Sequence, residues 1–499
     1  MGALYLALAP AVTGNKDASE FTLTLALMGV AHPTGYPLYT LAGHGFVVLL
    51  HQLGASWAYA ANAWSAVGGA VAMALHHALA ARIVPPTAPL GRGTRFVLAL
   101  LATAMIGLNP VWLIDAMQAE VYSWHLAWVC GISLAALGLI RALAPRQTEW
   151  TSRRLAFAAA AWGALCGTGM AHHATAVWFI APLSVAIVVA VLLARRGRWW
   201  LPVVAAAAAL VPLASYLLLA FRASHPAIYQ WPRLEPSLAS LVRHVSGAEY
   251  RDLFGRFAPG EAQAYLLRSF AYPLLFPTLA GLLWATLRAR PRAERTILWG
   301  LLAAAGLQTL YSFSYGVLDP SSYFQPSLAI GLLAVPLLGA GLTRSRRALP
   351  ALGLAAALLV TGLGVVWVRF GFEIRAGLVE VERHVHDLWR SIPFERGIVL
   401  WREDRYATLL TYQILDGERP GLYVSDPAVL SWNTQRRAFK TRFGFDPLDG
   451  LTPLTTAKTV LIPENINRLT ALPVAVFDPG QAMVHVLPKG AGSVGGAAR

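Results

Sequence analysis

Charged side chains are scarce in this sequence. Asp, Glu, Lys and Arg make up 13% of its 499 residues, and the mean hydropathy is +0.52. About a quarter of the residues in an ordinary soluble domain are charged. The deficit excludes that class and predicts that a lipid bilayer surrounds most of the chain.

Lysine is rarer still, and the four lysines are Lys16, Lys440, Lys458 and Lys489. The net charge of +15 is therefore carried almost entirely by arginine. Because the arginines form short clusters between apolar runs, they indicate cytoplasmic loops of a membrane protein rather than a nucleic-acid-binding surface.

Cysteine is rare, with two residues, and several common sequence signatures are missing. Cys130 and Cys166 both fall inside apolar runs with no His-rich spacing near them, so we expect buried thiols rather than a disulfide or a zinc site. No G-x-G-x-x-G run and no repeat of solenoid period occurs. The opening "MGALYLALAPAV" lacks the basic region and cleavage site of a secretory signal, and about twelve residues are too few to cross a bilayer. We interpret it as a truncated first span or as the end of a segment that starts upstream.

Ten later segments are apolar and long enough to cross about 30 Å of hydrocarbon. They cover residues 58–81, 96–114, 121–140, 155–170, 174–194, 199–221, 265–287, 296–313, 323–342 and 349–368. The predicted fold class is therefore an α-helical polytopic membrane protein with about 10 to 11 transmembrane helices, the first of them truncated. Loops on one side carry five arginine clusters, whereas the short loops around Asp115, His172 and Asp319 carry no Lys or Arg. The asymmetry places the arginine clusters in the cytoplasm.

Residues 36–53 are also apolar, but counting them as a span would put every arginine cluster outside. We therefore predict that they form an interfacial helix on the outer membrane surface. An outer loop, residues 13–57, would carry this helix and an earlier one over residues 17–29, with a turn at His32–Gly35 between them. A second outer loop covers residues 222–264.

The acidic residues gather on the outer side of this topology. Before Arg369 only Glu149 and Glu294 fall on the cytoplasmic side, and no acid lies at the centre of a span. From residue 370 charges become frequent, and short apolar runs alternate with helical stretches. We predict a transmembrane domain over residues 1–369 and a small soluble extracytoplasmic α/β domain over residues 370–499.

An enzyme at this outer rim would need a lipid-linked substrate, because nucleotide sugars stay in the cytoplasm. A polyprenyl-phosphate sugar brings its own leaving group. The enzyme must then supply a carboxylate that takes the proton of the acceptor and a cation that meets the departing phosphate. Asp17 and Glu20 in the first loop, Glu120 at a span end and Arg222 at another span end could supply these groups.

Four stretches carry a resemblance to a known family: "DASEF...GVAHPTGYPLYTLAG", "AEVYSWHLAW", "YLLLAFRA...LVRHVSGAEYRDLF" and "SYGVLDPSSYFQPSLAIG". They are similar to the bacterial relatives of the endoplasmic-reticulum O-mannosyltransferase that modifies IPT domains of receptors, within the GT-C superfamily of lipid-phosphate-sugar glycosyltransferases. The resemblance covers about residues 5–426. It implies a GT-C-like fold and inverting transfer, with Asp17 as base and Glu20 as a second acid. Glu120 matches the second acidic motif of the family, and Arg222 matches its arginine at the end of a span.

The sequence departs from the family pattern at Ser19, Thr34 and His125, where Gly, Pro and Asn are usual. The acidic positions are kept, so the departures bear on donor or acceptor detail more than on the chemistry.

Further candidates for substrate contact are His32 and Tyr36 in the first motif and Asp319 in the last.

Each assignment has a structural alternative. Asp17 could cap its helix, Glu20 could be a solvated acid in the first turn, and His32 could brace the turn. Glu120 could cap a span, and Arg222 could be an interfacial anchor.

The sequence predicts an inverting glycosyltransferase that moves a sugar from a polyprenyl-phosphate donor to a protein hydroxyl, lipid or glycan. The alternatives are a transporter or lipid flippase and a non-catalytic scaffold. Transporters tend to have interrupted helices and polar groups near the midplane, whereas these spans read as continuous. The first loop contains no D-x-D pair, so we expect no metal and no other cofactor. We place the protein in the bacterial inner membrane, with the site and the C-terminal domain outside.

Overall fold

The structure is a computed structural model that describes residues 1–14, 17–88, 90–144, 150–226, 229–231, 233–289, 292–317, 319–342, 348–401, 406–431, 433–451, 458–478 and 482–488. Lys16, Glu149 and Lys489 lie outside the described residues. The transmembrane region contains helices α1 (Gly2–Leu8), α2 (Ala18–Leu27), α3 (Pro37–Gln52), α4 (Trp57–Ile83), α5 (Arg92–Gly107), α6 (Pro110–Met117), α7 (Tyr122–Leu143), α8 (Ser152–His172), α9 (Val177–Leu193), α10 (Leu201–Leu213), α11 (Leu217–Ser224), α12 (Leu238–Val245), α13 (Glu261–Leu266), α14 (Tyr272–Arg288), α15 (Arg292–Ser314), α16 (Ser321–Gly331), α17 (Ala334–Leu342) and α18 (Ala348–Arg390). Short 3-10 turns cover Ala174–Ala176, Ala214–Tyr216 and Ala248–Leu253, and one π-helical turn covers Leu267–Ala271.

Seven helical segments of the described residues are long and apolar enough to cross a membrane. They are Trp57–Ile83, Tyr122–Leu143, Ala174–Leu193, Leu201–Ser224, Glu261–Arg288, Arg292–Ser314 and Ser321–Gly341. The bent pair α5 and α6 would make an eighth. Two further predicted spans lie in α8, which has 21 residues, and in the first part of α18. The polytopic α-helical fold is confirmed.

The predicted continuous span over residues 96–114 is wrong, because a sharp bend divides it. Helices α5 and α6 meet at 71° across a short break. Asn109 caps α6 by accepting a hydrogen bond from the amide of Val111 at 3.1 Å, and Pro110 occupies the first turn. A proline cannot donate to the preceding turn, so the Asn-Pro pair ends one helix and starts the next.

Close helix packing in the bundle depends on small residues. Gly163 and Gly167 of α8 lie against the backbone of Ala205 and Ala209 in α10, where a Cβ atom would collide with the Ala205 and Ala209 carbonyls. The four-residue spacing puts both glycines on one face of α8. This small-residue contact lets the two backbones approach as transmembrane helices commonly do.

The two helices predicted in the first outer loop are α2 and α3. Met28 ends α2 in the left-handed conformation, and the amide of Gly29 donates to the Thr24 carbonyl at 2.9 Å. The chain then turns through Gly35, with φ +87°, into α3. With 16 residues, α3 is about 24 Å long, which is shorter than the hydrocarbon core. Its position along the membrane surface stays a prediction.

Helix α18 continues far beyond the predicted span. Its 43 residues extend about 64 Å, roughly twice the thickness of the hydrocarbon core. The predicted domain boundary at residue 369 therefore lies inside this helix, and the strands begin only after Arg390.

The C-terminal region is a small α/β domain, as the sequence predicts. Its elements are β1 (Gly397–Trp401), α19 (Tyr406–Ile414), β2 (Leu422–Ser425), α20 (Pro427–Leu430), α21 (Asn433–Phe443), α22 (Lys458–Leu469), β3 (Val474–Asp478) and β4 (Met483–Val486). The sheet order is β2-β1-β3-β4, with β1 parallel to β2 and β3, and β4 antiparallel at the edge. Strand β1 is buried along its whole length, which fits the continuous apolar run of a central parallel strand.

This domain packs directly on the first outer loop. Helix α19 lies against α2, and the Ser19 and Thr408 hydroxyl oxygens are 2.7 Å apart. Glu382 of α18 accepts hydrogen bonds from the Thr13 hydroxyl at 2.6 Å and from the Gly14 amide at 3.2 Å. The loop is therefore held between the bundle and the C-terminal domain.

Candidate active site

Glu20 and His32 form the centre of the site. Glu20 lies in the first turn of α2 with 8% of its surface exposed. One carboxylate oxygen accepts the His32 amide at 2.5 Å, and the other lies 3.0 Å from His32 Nδ1. Both oxygens therefore hold the turn that follows α2, and the alternative of a solvated first-turn acid does not describe Glu20.

Tyr36 extends this pair into a chain of three groups. Its hydroxyl lies 3.0 Å from His32 Nε2. If His32 Nδ1 donates to the Glu20 carboxylate, Nε2 is the acceptor and the tyrosine hydroxyl donates to it. Tyr36 has φ +44°, a left-handed conformation that is rare outside glycine and is held by its surroundings. The Gly35–Tyr36 turn is therefore shaped so that the Tyr36 hydroxyl reaches back to His32.

Asp17 stands at the N-cap of α2, but its side chain makes no capping hydrogen bond. Asp17, Glu20 and His32 each offer an oxygen or nitrogen atom within 4.8 Å of the others. Asp17 is half-buried, whereas Glu20 is buried. Because capping does not occupy its carboxylate, Asp17 is placed to meet a ligand beside the Glu20–His32 pair.

Electrostatics distinguish the groups of the site. Burial raises the pKa of the Glu20 carboxyl. The contacts with His32 lower this pKa in part, and the charge of Asp17 raises it further. Burial likewise raises the pKa of the Tyr36 hydroxyl, with further contributions from Tyr250 and Asp17. Tyr36 is thus kept as a neutral hydroxyl beside two carboxyl groups.

Glu120 lies beside Tyr39, the residue three positions after Tyr36. Burial and the charge of Glu120 raise the pKa of the Tyr39 hydroxyl. The Ser65 hydroxyl fixes the backbone of Glu120. It accepts a hydrogen bond from the Glu120 amide and donates one to the Glu120 carbonyl, both at 2.9 Å. Glu120 is therefore a buried acid in the layer of residues next to the Glu20–His32 pair.

Arg222 lies at the other end of α2. Its Nε donates to the Met28 carbonyl at 2.9 Å, and its guanidinium is 5.6 Å from the centre of the Phe221 ring. Helix α2 has ten residues, so this end is about 15 Å from Asp17. The structure therefore separates Arg222 from the acids by one helix length.

Asp319 has a local structural role. Its Oδ1 accepts the Ser321 hydroxyl at 2.6 Å and the Ser321 amide at 3.3 Å. These bonds hold the first turn of α16, as a capping aspartate does.

The sequence analysis did not single out several aromatic residues around the site. Tyr250 packs against His32 with ring centres 6.4 Å apart, and Trp231 does so at 6.1 Å. Tyr122 and Tyr323 are 5.5 Å apart, and Tyr315 lies 5.3 Å from Tyr323. Each of these tyrosines lies in one of the stretches that carry the family resemblance. Their presence in those stretches is the signal that could have identified them.

Comparisons with known proteins bear on the family and the fold of the chain. Residues 17–197 match the family described as Protein O-mannosyl-transferase TMEM260 N-terminal domain. The protein O-mannosyl-transferase tmem260 of Dictyostelium discoideum is 24% identical over 252 residues, which are 49% of this chain and 29% of that protein. The chain thus spans less than a third of the length of this curated relative.

Two solved structures share the architecture of the chain. ArnT from Cupriavidus metallidurans, in a crystal structure bound to undecaprenyl phosphate, has a TM-score of 0.53 at 13% identity, with 87% of this chain and 90% of ArnT covered. The apo oligosaccharyltransferase of Archaeoglobus fulgidus has a TM-score of 0.51 at 11% identity, with 95% and 68% covered. At these identities the likeness shows the fold alone. The chain therefore shares the membrane fold of these two structures, in line with the predicted GT-C-like architecture, and its residues 17–197 match the TMEM260 N-terminal domain family.

Proposed function

We propose that the protein is an inverting glycosyltransferase that moves a hexose from a polyprenyl-phosphate donor to a hydroxyl acceptor on the outer face of a bacterial inner membrane. The observation that carries the proposal is Asp17, whose carboxylate is not used for capping and stands beside the buried Glu20–His32–Tyr36 chain. The TMEM260 domain over residues 17–197 begins at this aspartate.

In this mechanism Asp17 accepts the proton of the acceptor hydroxyl. The acceptor oxygen forms a bond to the anomeric carbon of the sugar as the bond from that carbon to the phosphate oxygen breaks. The electron pair of the broken bond stays on the polyprenyl phosphate, so the leaving group needs little help from an acid. Attack from the side opposite the phosphate inverts the anomeric configuration.

Glu20, His32 and Tyr36 orient the site in this proposal. The bond between His32 Nδ1 and Glu20 fixes the imidazole, the bond from the His32 amide fixes its backbone, and the imidazole meets the Tyr36 hydroxyl. Groups locked in this way can meet developing charge without reorganising during the reaction.

The lipid part of the donor has an apolar site available. A groove of about 360 Å³ lies between α10, α11 and α12 and is lined by Leu210, Leu213, Ala214, Tyr216, Leu217, Leu219, Leu241 and Val245. Arg222 follows this lining on α11, and Leu219 also lies next to Gly35 of the site loop. We propose that the polyprenyl tail occupies this groove, with the phosphate nearer Arg222, because an anion and an apolar chain need such neighbouring sites.

The reaction requires no metal ion in this proposal. Asp17, Glu20 and His32 are close enough to hold a cation. However, both Glu20 oxygens already accept hydrogen bonds from His32. A metal ion held there would share the Glu20 oxygens with the bonds that hold the turn, and the proposed chemistry does not need one.

The test is transfer from radiolabelled polyprenyl-phosphate mannose by detergent-purified protein, with wild type compared with Asp17→Asn. We expect the variant to lose at least 100-fold in turnover, since general-base catalysis contributes about 10²–10⁴-fold. Donor binding and melting temperature should stay close to wild type. Both proteins are also assayed after EDTA treatment, which we expect to leave wild-type turnover unchanged.

The matched control is Asp387→Asn, which changes an exposed aspartate on α18. Undiminished turnover by Asp17→Asn would refute the assignment of the base. Loss of wild-type turnover in EDTA, restored by a divalent cation, would refute the metal-free mechanism.

A further inference from the structure

Tyrosines from separate parts of the chain meet next to the acids. Tyr36 lies 5.6 Å from the His173 ring, and Tyr122 lies 5.8 Å from the same ring. Tyr122 then contacts Tyr323, which contacts Tyr315, while Tyr250 contacts His32. We call Tyr36, Tyr122, Tyr250, Tyr315 and Tyr323 the aromatic arc.

The arc is not a fully packed core. Tyr122, Tyr250 and Tyr323 are half-buried, whereas Tyr36 is 7% and Tyr315 is 6% exposed. A half-buried ring keeps part of its surface available for contact with a ligand. A tyrosine offers such a space an apolar ring face and a hydroxyl that both donates and accepts.

The arc faces the Asp17 carboxylate. Burial raises the pKa of the Tyr250 hydroxyl, and the charges of Glu20 and Asp17 raise it further. Burial and the Asp17 charge raise the pKa of Tyr315 to about 12. These two hydroxyls are therefore neutral at physiological pH and lie close to the proposed base.

The chemistry of the arc suits a sugar better than a phosphate. Among the described residues no arginine stacks on a ring of the arc, and Arg222 stacks on Phe221 instead. A phosphate prefers guanidinium groups, whereas a neutral hexose presents hydroxyls that donate and accept together with a C–H face that packs on aromatic rings.

We propose that the aromatic arc is the subsite for the transferred sugar, in which Tyr250 and Tyr323 bind the hexose of the donor and set the preference for a neutral sugar. The inference rests on the proposed function, because it needs a lipid-linked sugar as donor. In this proposal the sugar of the donor contacts the aromatic arc. The phosphate lies near Arg222, and the polyprenyl tail lies in the apolar groove.

The experiment compares the binding of two probes, polyprenyl-phosphate mannose and free polyprenyl phosphate, to wild type, Tyr250→Phe and Tyr323→Phe. These substitutions remove one hydroxyl each and keep the ring, so folding should be preserved. We expect each variant to bind the mannose-bearing lipid about two- to tenfold more weakly, as loss of one neutral hydrogen bond predicts, and to bind the free lipid as wild type does.

The matched control is Tyr265→Phe, because Tyr265 is 56% exposed and lies outside the arc. Equal weakening for both probes, or none for either, would overturn the sugar subsite while leaving the proposed function intact. The proposed function would be overturned by a different result. In that case the wild-type protein would neither bind nor consume polyprenyl-phosphate mannose or any other polyprenyl-phosphate hexose.

Discussion

Glu20 makes the stability of the protein depend on pH. Its pKa is raised in the folded protein, chiefly by burial. The folded state therefore holds the proton over a pH range in which the unfolded chain, with a glutamate pKa of about 4.3, has released it. The stability that Glu20 contributes is present below that value and is lost as the pH rises through the folded pKa.

Replacement by glutamine removes this titration and keeps one acceptor oxygen, which can still accept from the His32 amide. We expect the melting temperature of Glu20→Gln, relative to wild type, to rise between pH 4 and pH 8, because the wild type loses the contribution of the protonated Glu20 over that range. Glu261→Gln, the same substitution at an exposed position, is the control for the change from glutamate to glutamine itself. A melting-temperature difference between Glu20→Gln and wild type that is the same at every pH would contradict the raised pKa of Glu20.

At the residue scale, the sequence predicted the local part of the site and missed the distant part. Asp17, Glu20, His32 and Tyr36 lie within 20 positions of each other, and the first motif of the family resemblance contains all four. The tyrosines of the arc come from segments up to about 290 positions away, and only the packing of the bundle brings them together. The predicted contact of Arg222 with the donor phosphate stays a prediction, and its Nε donates to the Met28 carbonyl at the far end of α2.

At the scale of elements, Gly35 determines how the first outer loop turns. It has φ +87°, and a Cβ atom there would lie 2.8 Å from Leu219 Cδ1 and 3.0 Å from His244 Nε2. An L-residue pays about 1–2 kcal/mol for the left-handed conformation, before any collision is counted. We expect Gly35→Ala to destabilise the protein by at least that amount and to lower transfer, because Tyr36 follows directly.

Gly45 of α3 provides the control in the same loop. It has open space around its Cβ position and sits within the helix, so Gly45→Ala should stabilise the protein by about 0.5–1 kcal/mol. Denaturation of both variants gives the comparison. Equal stability of Gly35→Ala and wild type would show that the turn tolerates another conformation.

Element boundaries show where the sequence patterns were sufficient. The apolar runs located the spans and the two loop helices because bilayer thickness and helical rise fix their lengths. The bend between α5 and α6 was missed although Asn109-Pro110 marks it, because hydropathy averaged over a window does not register a single break. An interrupted span is also a feature of transporters, but the buried acid of this bend, Asp115 on α6, accepts a hydrogen bond from the Ser322 hydroxyl at 2.7 Å, whereas Asp17 and Glu20 lie together on the first loop.

At the scale of the whole molecule, the long helix α18 holds the start of the first loop. Glu382 is the link, since it accepts from the Thr13 hydroxyl and the Gly14 amide just before Asp17. Burial raises the pKa of Glu382, and the bonds from Thr13 and Gly14 lower it in part. The sequence predicted a separate outer domain, and it gave no sign that residue 382 would contact residue 13, because such a contact depends on how the long α18 passes the bundle.

Removing this link should loosen the loop without unfolding the bundle. We expect Glu382→Ala to speed hydrogen exchange of the amides of α2 and to lower transfer from polyprenyl-phosphate mannose about tenfold, as loss of a charge-assisted hydrogen bond of about 1.5–3 kcal/mol predicts. Glu380→Ala, two positions earlier and exposed on the same helix, should leave both measurements unchanged. If α2 exchanged no faster in Glu382→Ala, the bonds that Glu382 accepts from Thr13 and Gly14 would have no part in positioning Asp17.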